Sequence, residues 1–266
     1  MTTTETRPRS STGSAWRRIL SLSTAEIRQF LRNKTLVAYA LIFPIGIGLV
    51  IQFIGGNRDS ADPALQAATS MEVFLLVALM FVQYYSVLSM ATTRRDERVL
   101  KRLRTGESRD GEILTALAAP GAVVSLVLTA LMTVALILLN GTTPHAFLPM
   151  LAAVVLGIVI STALALLTSI ITSNAEAAQM TSLPVISLAM ASQSALLLIL
   201  PERVRDIVSH TPFALIGDVV FIDWSGSSLS GALTSGEVWR PLLELLAWAI
   251  VLLWLGVRYM KWETNR

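Results

Sequence analysis

The chain has no cysteine. Disulfide bridges and thiolate metal sites are therefore excluded outright. It has two histidines, His145 and His210, so far apart in sequence that a histidine-rich metal cluster is excluded as well. Charge is scarce: 15% of the residues are charged against 53% hydrophobic. The charges crowd into a few segments and leave stretches of about twenty residues without any, as in a chain solvated by a bilayer. A soluble domain of 266 residues must keep a polar surface and does not carry such an apolar excess. There is no P-loop pattern of glycines with Lys and Ser/Thr, no His-Glu-x-x-His and no Gly-x-Ser-x-Gly. Asp59, Asp62, Asp218 and Asp223 read as outer-loop residues, not as a cluster of carboxylates within the membrane. The usual equipment of a membrane hydrolase or a proton-coupled pump is missing. A cleavable signal peptide is not expected either, since the first 34 residues are polar and basic.

What is present is a series of apolar stretches. Six are long enough to span, at about 35–55, 71–92, 113–139, 146–172, 177–200 and 241–257. Glu72 falls at the outer end of the second and Glu244 in the outer first turn of the sixth, where water and the helix dipole reach it. The fold class expected is all-α: a polytopic membrane protein with six transmembrane helices in 35–266. An amphipathic interface helix over 14–34 precedes them, after a Thr-, Ser-, Arg- and Pro-rich tail over 1–13 that reads as disordered and cytoplasmic. Between the fifth and sixth spans, 201–240 is too long for a bare loop. Pro201 and Pro212 each start a short helix lying at or dipping into the outer leaflet, and 225–230 is a turn.

The net charge of +3 is a topology signal, not a nucleic-acid-binding one. With both termini in the cytoplasm, 17 of the 21 basic residues lie on the cytoplasmic side and Arg58, Arg203, Arg205 and Arg240 lie outside. The reverse orientation would invert that bias.

Three groups of residues are candidates for function. In the pre-membrane segment, Trp16, Ile19, Leu20, Ile27, Phe30 and Leu31 share one helical face, with Arg17, Arg18, Arg28 and Arg32 largely off it. Such a helix lies in the cytoplasmic interface. Ser23 to Glu26 fits a capping box, so a helix restarts at Thr24. The second group is the loop 93–112, where Val99, Leu100 and Leu103 form an apolar patch among seven basic and five acidic residues, including Arg95, Glu97, Lys101, Arg102 and Arg104. Apolar residues in such a loop want a partner surface; a docking helix and a solvated topology loop both fit. The third is the set of polar residues inside spans: Gln52, Gln83, Tyr84, Tyr85, Ser192, Gln193 and Ser194. Helix–helix ties are the commoner use of such groups, and a pathway lining is the alternative.

In this order, these features resemble the permease subunits of type-2 ATP-binding-cassette exporters, the antibiotic- and drug-export kind in particular. Three stretches carry the resemblance: Ala25 to Lys34 with Phe43-Pro44, then Arg94 to Gly106, then Asn174 to Gln179 followed by Pro184, Pro201 and Pro212. Where the family has a small-Gly pair in the fifth span, this chain has Ser192-Gln193-Ser194. The resemblance implies that 16–32 is the interface helix, that 97–104 holds the coupling helix that docks into an ATPase, and that 203–221 forms the outer re-entrant helices. It further implies a multi-pass protein of the bacterial plasma membrane, paired with a second permease as homodimer or heterodimer. Two cytoplasmic ATP-binding subunits would supply the ATP and Mg, with no cofactor bound by this chain. The uncharged spans favour a hydrophobic or amphiphilic cargo, antibiotic-like, over a charged sugar polymer. Lipid or polysaccharide export within the same family is the alternative. A non-transporting scaffold or sensor subunit and a lipid-modifying membrane enzyme are the rivals from other classes.

Overall fold

A computed structural model describes residues 17, 20, 21, 23–28, 32, 34–56, 62–97, 110–230 and 233–260. Among the described residues the chain is helical apart from its connections, with one isolated bridge between Ser227 and Thr234. The helices are α1 (Lys34–Gly56), α2 (Pro63–Asp96), α3 (Asp110–Asn140), α4 (Phe147–Ser169), α5 (Ala177–Ala191), α6 (Ser194–Leu197), α7 (Glu202–Ser209), α8 (Pro212–Ser225) and α9 (Trp239–Tyr259). This is the all-α, polytopic membrane architecture expected. By length and composition α2, α3, α4 and α9 can each cross a bilayer, and α7 with α8, bent by 84°, would make a fifth if they form one span. The described apolar parts of α1 and α5 are shorter. The 1–13 tail lies outside the described residues.

Several boundaries differ from those expected. α2 begins at Pro63 rather than near 71, because Asp62 caps it: its carboxylate accepts from the Ala64 amide at 2.9 Å, and Pro63 is preset for the first turn. Gln66, Thr69 and Ser70 lower the local hydropathy and conceal that extension. α4 ends at Ser169, not 172. The fifth stretch does not run to 200: α5 stops at Ala191, Gln193 is extended (φ −62°, ψ 133°), and only the single turn of α6 follows.

The core is organised around α2. Phe74, Leu75, Leu76, Leu79, Met80 and Leu88 are almost wholly buried. α1, α3, α4 and α8 all pack on α2, while α9 lies mainly along α4. The middle of α2, Ala78–Tyr85, is wound as a π-helix, a form that recurs at functional positions. At about 1.5 Å per residue, the 34 residues of α2 make a rod of roughly 50 Å, longer than the ~30 Å hydrocarbon core.

The bent pair α7 and α8 follows from its punctuation. Pro201 precedes α7 and Pro212 opens α8. α8 ends at Gly226, whose φ of 83° lies in the left-handed region and lets its N–H reach the Ile222 carbonyl. α8 runs one turn beyond the expected Phe221 and is buried along most of its length, with Phe213, Phe221 and Trp224 at 2% exposure or less. α7 has no buried residue.

Candidate functional site

The functional elements gather on α2, which is tied at both ends and through its middle. At the end carrying Asp96, Arg95 is 4% exposed. Its guanidinium donates to the Ser169 carbonyl at 2.8 Å and also to the carbonyls of Thr172 and Ser173. Those carbonyls belong to the end of α4 and the turn beyond it, where oxygens have no helical donor and a cation is favoured. Arg94 beside it places one terminal nitrogen 2.9 and 2.8 Å from the two carboxylate oxygens of Glu26. This corrects the capping box expected at Ser23: Ser23 is itself helical, within 23–28, and so does not cap a helix starting at Thr24. Thr24 donates back to the Leu20 carbonyl at 2.6 Å, and the Glu26 carboxylate is engaged by α2.

Of the residues expected in the interface helix, Leu20 is 46% exposed and Ile27 half-buried; Trp16, Ile19, Phe30 and Leu31 lie outside the described residues. Of those expected in the coupling loop, Arg95 points inward as above and Glu97 is exposed at the end of α2. Val99, Leu100, Lys101, Arg102, Leu103 and Arg104 lie outside the described residues.

The π-helical middle of α2 carries three of the polar residues expected to line a pathway. Gln83 donates to the Thr162 hydroxyl at 2.8 Å and to the Ala118 carbonyl at 3.3 Å, joining α2 to α4 and α3. Gly121 makes this approach possible: a Cβ there would lie 2.5 Å from Gln83 Oε1 and 2.8 Å from the Val82 carbonyl. The Tyr84 hydroxyl donates to Thr168 on α4 at 3.1 Å. Tyr85 is half-buried.

At the other end of α2 the polar side chains form two groups. In the first, Ser70 donates to Gln52 Oε1 at 2.9 Å, and the Gln52 amide donates to Asn140 at 2.8 Å. Gln66 returns to the carbonyls of Ile51 and Gln52 at the end of α1. α1, α2 and α3 are thus tied through one amide. In the second, the break after α5 is held from two sides. Ser192 pairs with the Thr211 hydroxyl at 2.9 Å, and Ser194 donates both its amide (2.7 Å) and its hydroxyl (2.6 Å) to Glu72 Oε1. Gln193 between them is half-buried.

Glu72, Ser194 and Asp223 carry more of this arrangement than their positions in the sequence suggested. Glu72 is 1% exposed and enclosed by protein. The signal available was a lone carboxylate in an apolar run. Asp218 and Asp223 are not loop residues: both lie on α8. Asp223, 3% exposed, accepts from the Ala146 amide at 2.7 Å, and its carbonyl accepts from the His145 amide at 2.6 Å, fastening the α3–α4 turn to α8. Glu244 is partly exposed and lies 2.8 Å from His210. Trp248 donates to the His210 carbonyl at 2.9 Å.

These side chains tie neighbouring helices to one another through hydrogen bonds. A family model described as the ABC-2 type transporter matches residues 17–196. That is more than half of the chain, from the pre-membrane helix through α6, and the chain belongs to this family. It is therefore a transport membrane subunit that works with an ATP-binding subunit. Compared with curated proteins, the chain matches none.

Proposed function

We propose that the chain is the permease half of an ATP-driven exporter of a hydrophobic or amphiphilic small molecule, antibiotic- or drug-like. α1, α2, α3, α4, α5 with α6, and α9 are its six spans, and α7 and α8 are the re-entrant cap on the outer side. Both termini face the cytoplasm of a bacterium. Two such subunits, identical or paralogous, enclose the pathway, and two cytoplasmic ATPases bind ATP and Mg. The family match over residues 17–196 supports the permease part of this reading. The 17-to-4 distribution of basic residues supports the orientation, and the absence of charge from most spans supports the cargo class. Among the polar residues expected in the pathway, Tyr85 and Gln193 are the best placed to meet cargo. Gln52, Gln83, Tyr84 and Ser192 are engaged in ties between helices.

In this mechanism ATP binding draws the two ATPases together, their motion pushes the loop after α2, and packed helices carry the displacement outward. The test replaces Leu100 and Leu103 with Asp. The expected outcome is loss of substrate-stimulated ATP hydrolysis by the assembled complex while insertion into the membrane persists; unchanged stimulation removes the loop from the mechanism. Because the chain lacks cysteine, a single thiol placed at position 101 reports orientation directly. It should resist impermeant reagents added outside intact cells.

A further inference from the structure

One carboxylate oxygen joins two separate elements and lies against a third. Glu72 Oε1 accepts both donors of Ser194, while Oε2 is buried without a partner. The Ser194 amide is available because Gln193 is extended and leaves it no helical acceptor of its own. On the far side of the break, Ser192 is bonded to Thr211 at the start of α8. α8 itself closes over the contact at Gly217, where a Cβ would lie 2.6 Å from Glu72 Oε1 and 2.9 Å from the Ser194 hydroxyl. Any side chain at 217 would displace the carboxylate or hold α8 away. α2, the broken end of α5 and the buried half of the re-entrant pair therefore meet at a single acceptor.

From this juxtaposition we propose that Glu72 is a positioning residue that latches the outer cap shut, and that the transport cycle opens the outer end by drawing α2 away from Ser194. The proposal rests on the exporter reading above. From Glu72 to Arg95 is 23 residues of helix, about 35 Å, and Arg95 fastens the far end of α2 next to the loop that would receive the ATPase. Directional hydrogen bonds fail over a small displacement, whereas apolar contacts give way gradually. Because both bonds end on one oxygen, a small shift of α2 breaks them together.

The test uses the cysteine-free chain with Gln193→Cys as the only thiol. Its reaction with a water-soluble maleimide is followed in lipid nanodiscs, for the chain alone and for the complex with its ATPase. In the otherwise native chain the reaction should be slow, and in the complex it should quicken when a non-hydrolysable ATP analogue is added. Glu72→Leu and Gly217→Ala should each speed it about tenfold without nucleotide, the scale expected for losing two buried hydrogen bonds. Glu72→Gln, which keeps an oxygen acceptor in place, should stay within about twofold of native. Native thermal unfolding of Glu72→Leu and Gly217→Ala in the same nanodiscs separates a lost contact from a protein that fails to fold. Equal rates in all variants, or a native rate unmoved by nucleotide in a complex that hydrolyses ATP, overturn the latch. If the chain recruits no ATP hydrolysis at all, the exporter reading fails, and labelling of the chain alone still decides whether Glu72 holds the outer end shut.

Discussion

α2 and α9 are similarly apolar along their spanning stretches, yet they face different surroundings. Of the most apolar window, 72% is buried within the protein in α2 and 22% in α9. α2 carries Glu72, Gln83, Tyr84 and Arg95, each hydrogen-bonded to another element. α9 presents Leu243, Ile250, Val251, Leu253 and Trp254 outward. Hydropathy tells that a helix belongs in the bilayer, but lipid tails and leucine side chains are equally apolar, so it does not tell which helix is the axis and which the wall. The distinguishing mark is polar content, because a buried polar group in hydrocarbon must find a partner and the partner is another helix.

Substitutions can break this contrast. The largest effect is expected at Arg95. Arg95→Ala leaves the Ser169 and Thr172 carbonyls without their donor and should lower the stability of the purified chain by about 3 kcal/mol, measured by thermal unfolding in nanodiscs. Arg95→Lys should recover only part, since a single ammonium does not reproduce the planar fork that reaches several oxygens. A smaller cost is expected for Gly121→Ala, where the new methyl meets Gln83 and the Val82 backbone: about 2 kcal/mol by the same measurement. The smallest belongs to α9. Ile250→Ala, at a side chain 60% exposed, should change stability by no more than about 0.5 kcal/mol in lipid, because acyl chains fill the space the side chain leaves. A loss at Ile250 matching that at Gly121 would mean that α9 is covered by protein and would end the contrast.

Much of the architecture was legible before any coordinates. The apolar stretches at 113–139 and 241–257 correspond within a few residues to α3 and α9. Pro201 and Pro212 marked the starts of α7 and α8. What stayed hidden has a common cause. The start of α2 was masked because its first turns carry Gln66, Thr69 and Ser70, which are polar in composition but satisfied in place by carbonyls of their own and the preceding helix. The break after Ala191 was masked because Ser192, Gln193 and Ser194 read equally well as interruptions or as ties inside a continuous helix. Glu26 fitted a capping box by local spacing, and Arg94, 68 positions away, took its carboxylate instead.

The sequence by itself determined that the chain is a membrane protein and that its order of elements is that of an ABC-2 transport subunit. These are sums over local composition, and the cost of burying charge in hydrocarbon enforces them whatever the packing. The tertiary structure alone decided that α2 is the axis, that Glu72 meets Ser194 under Gly217, and that Arg95 turns inward to the end of α4. Those outcomes depend on which distant donor and acceptor arrive within about 3 Å of each other, and no local pattern encodes that distance.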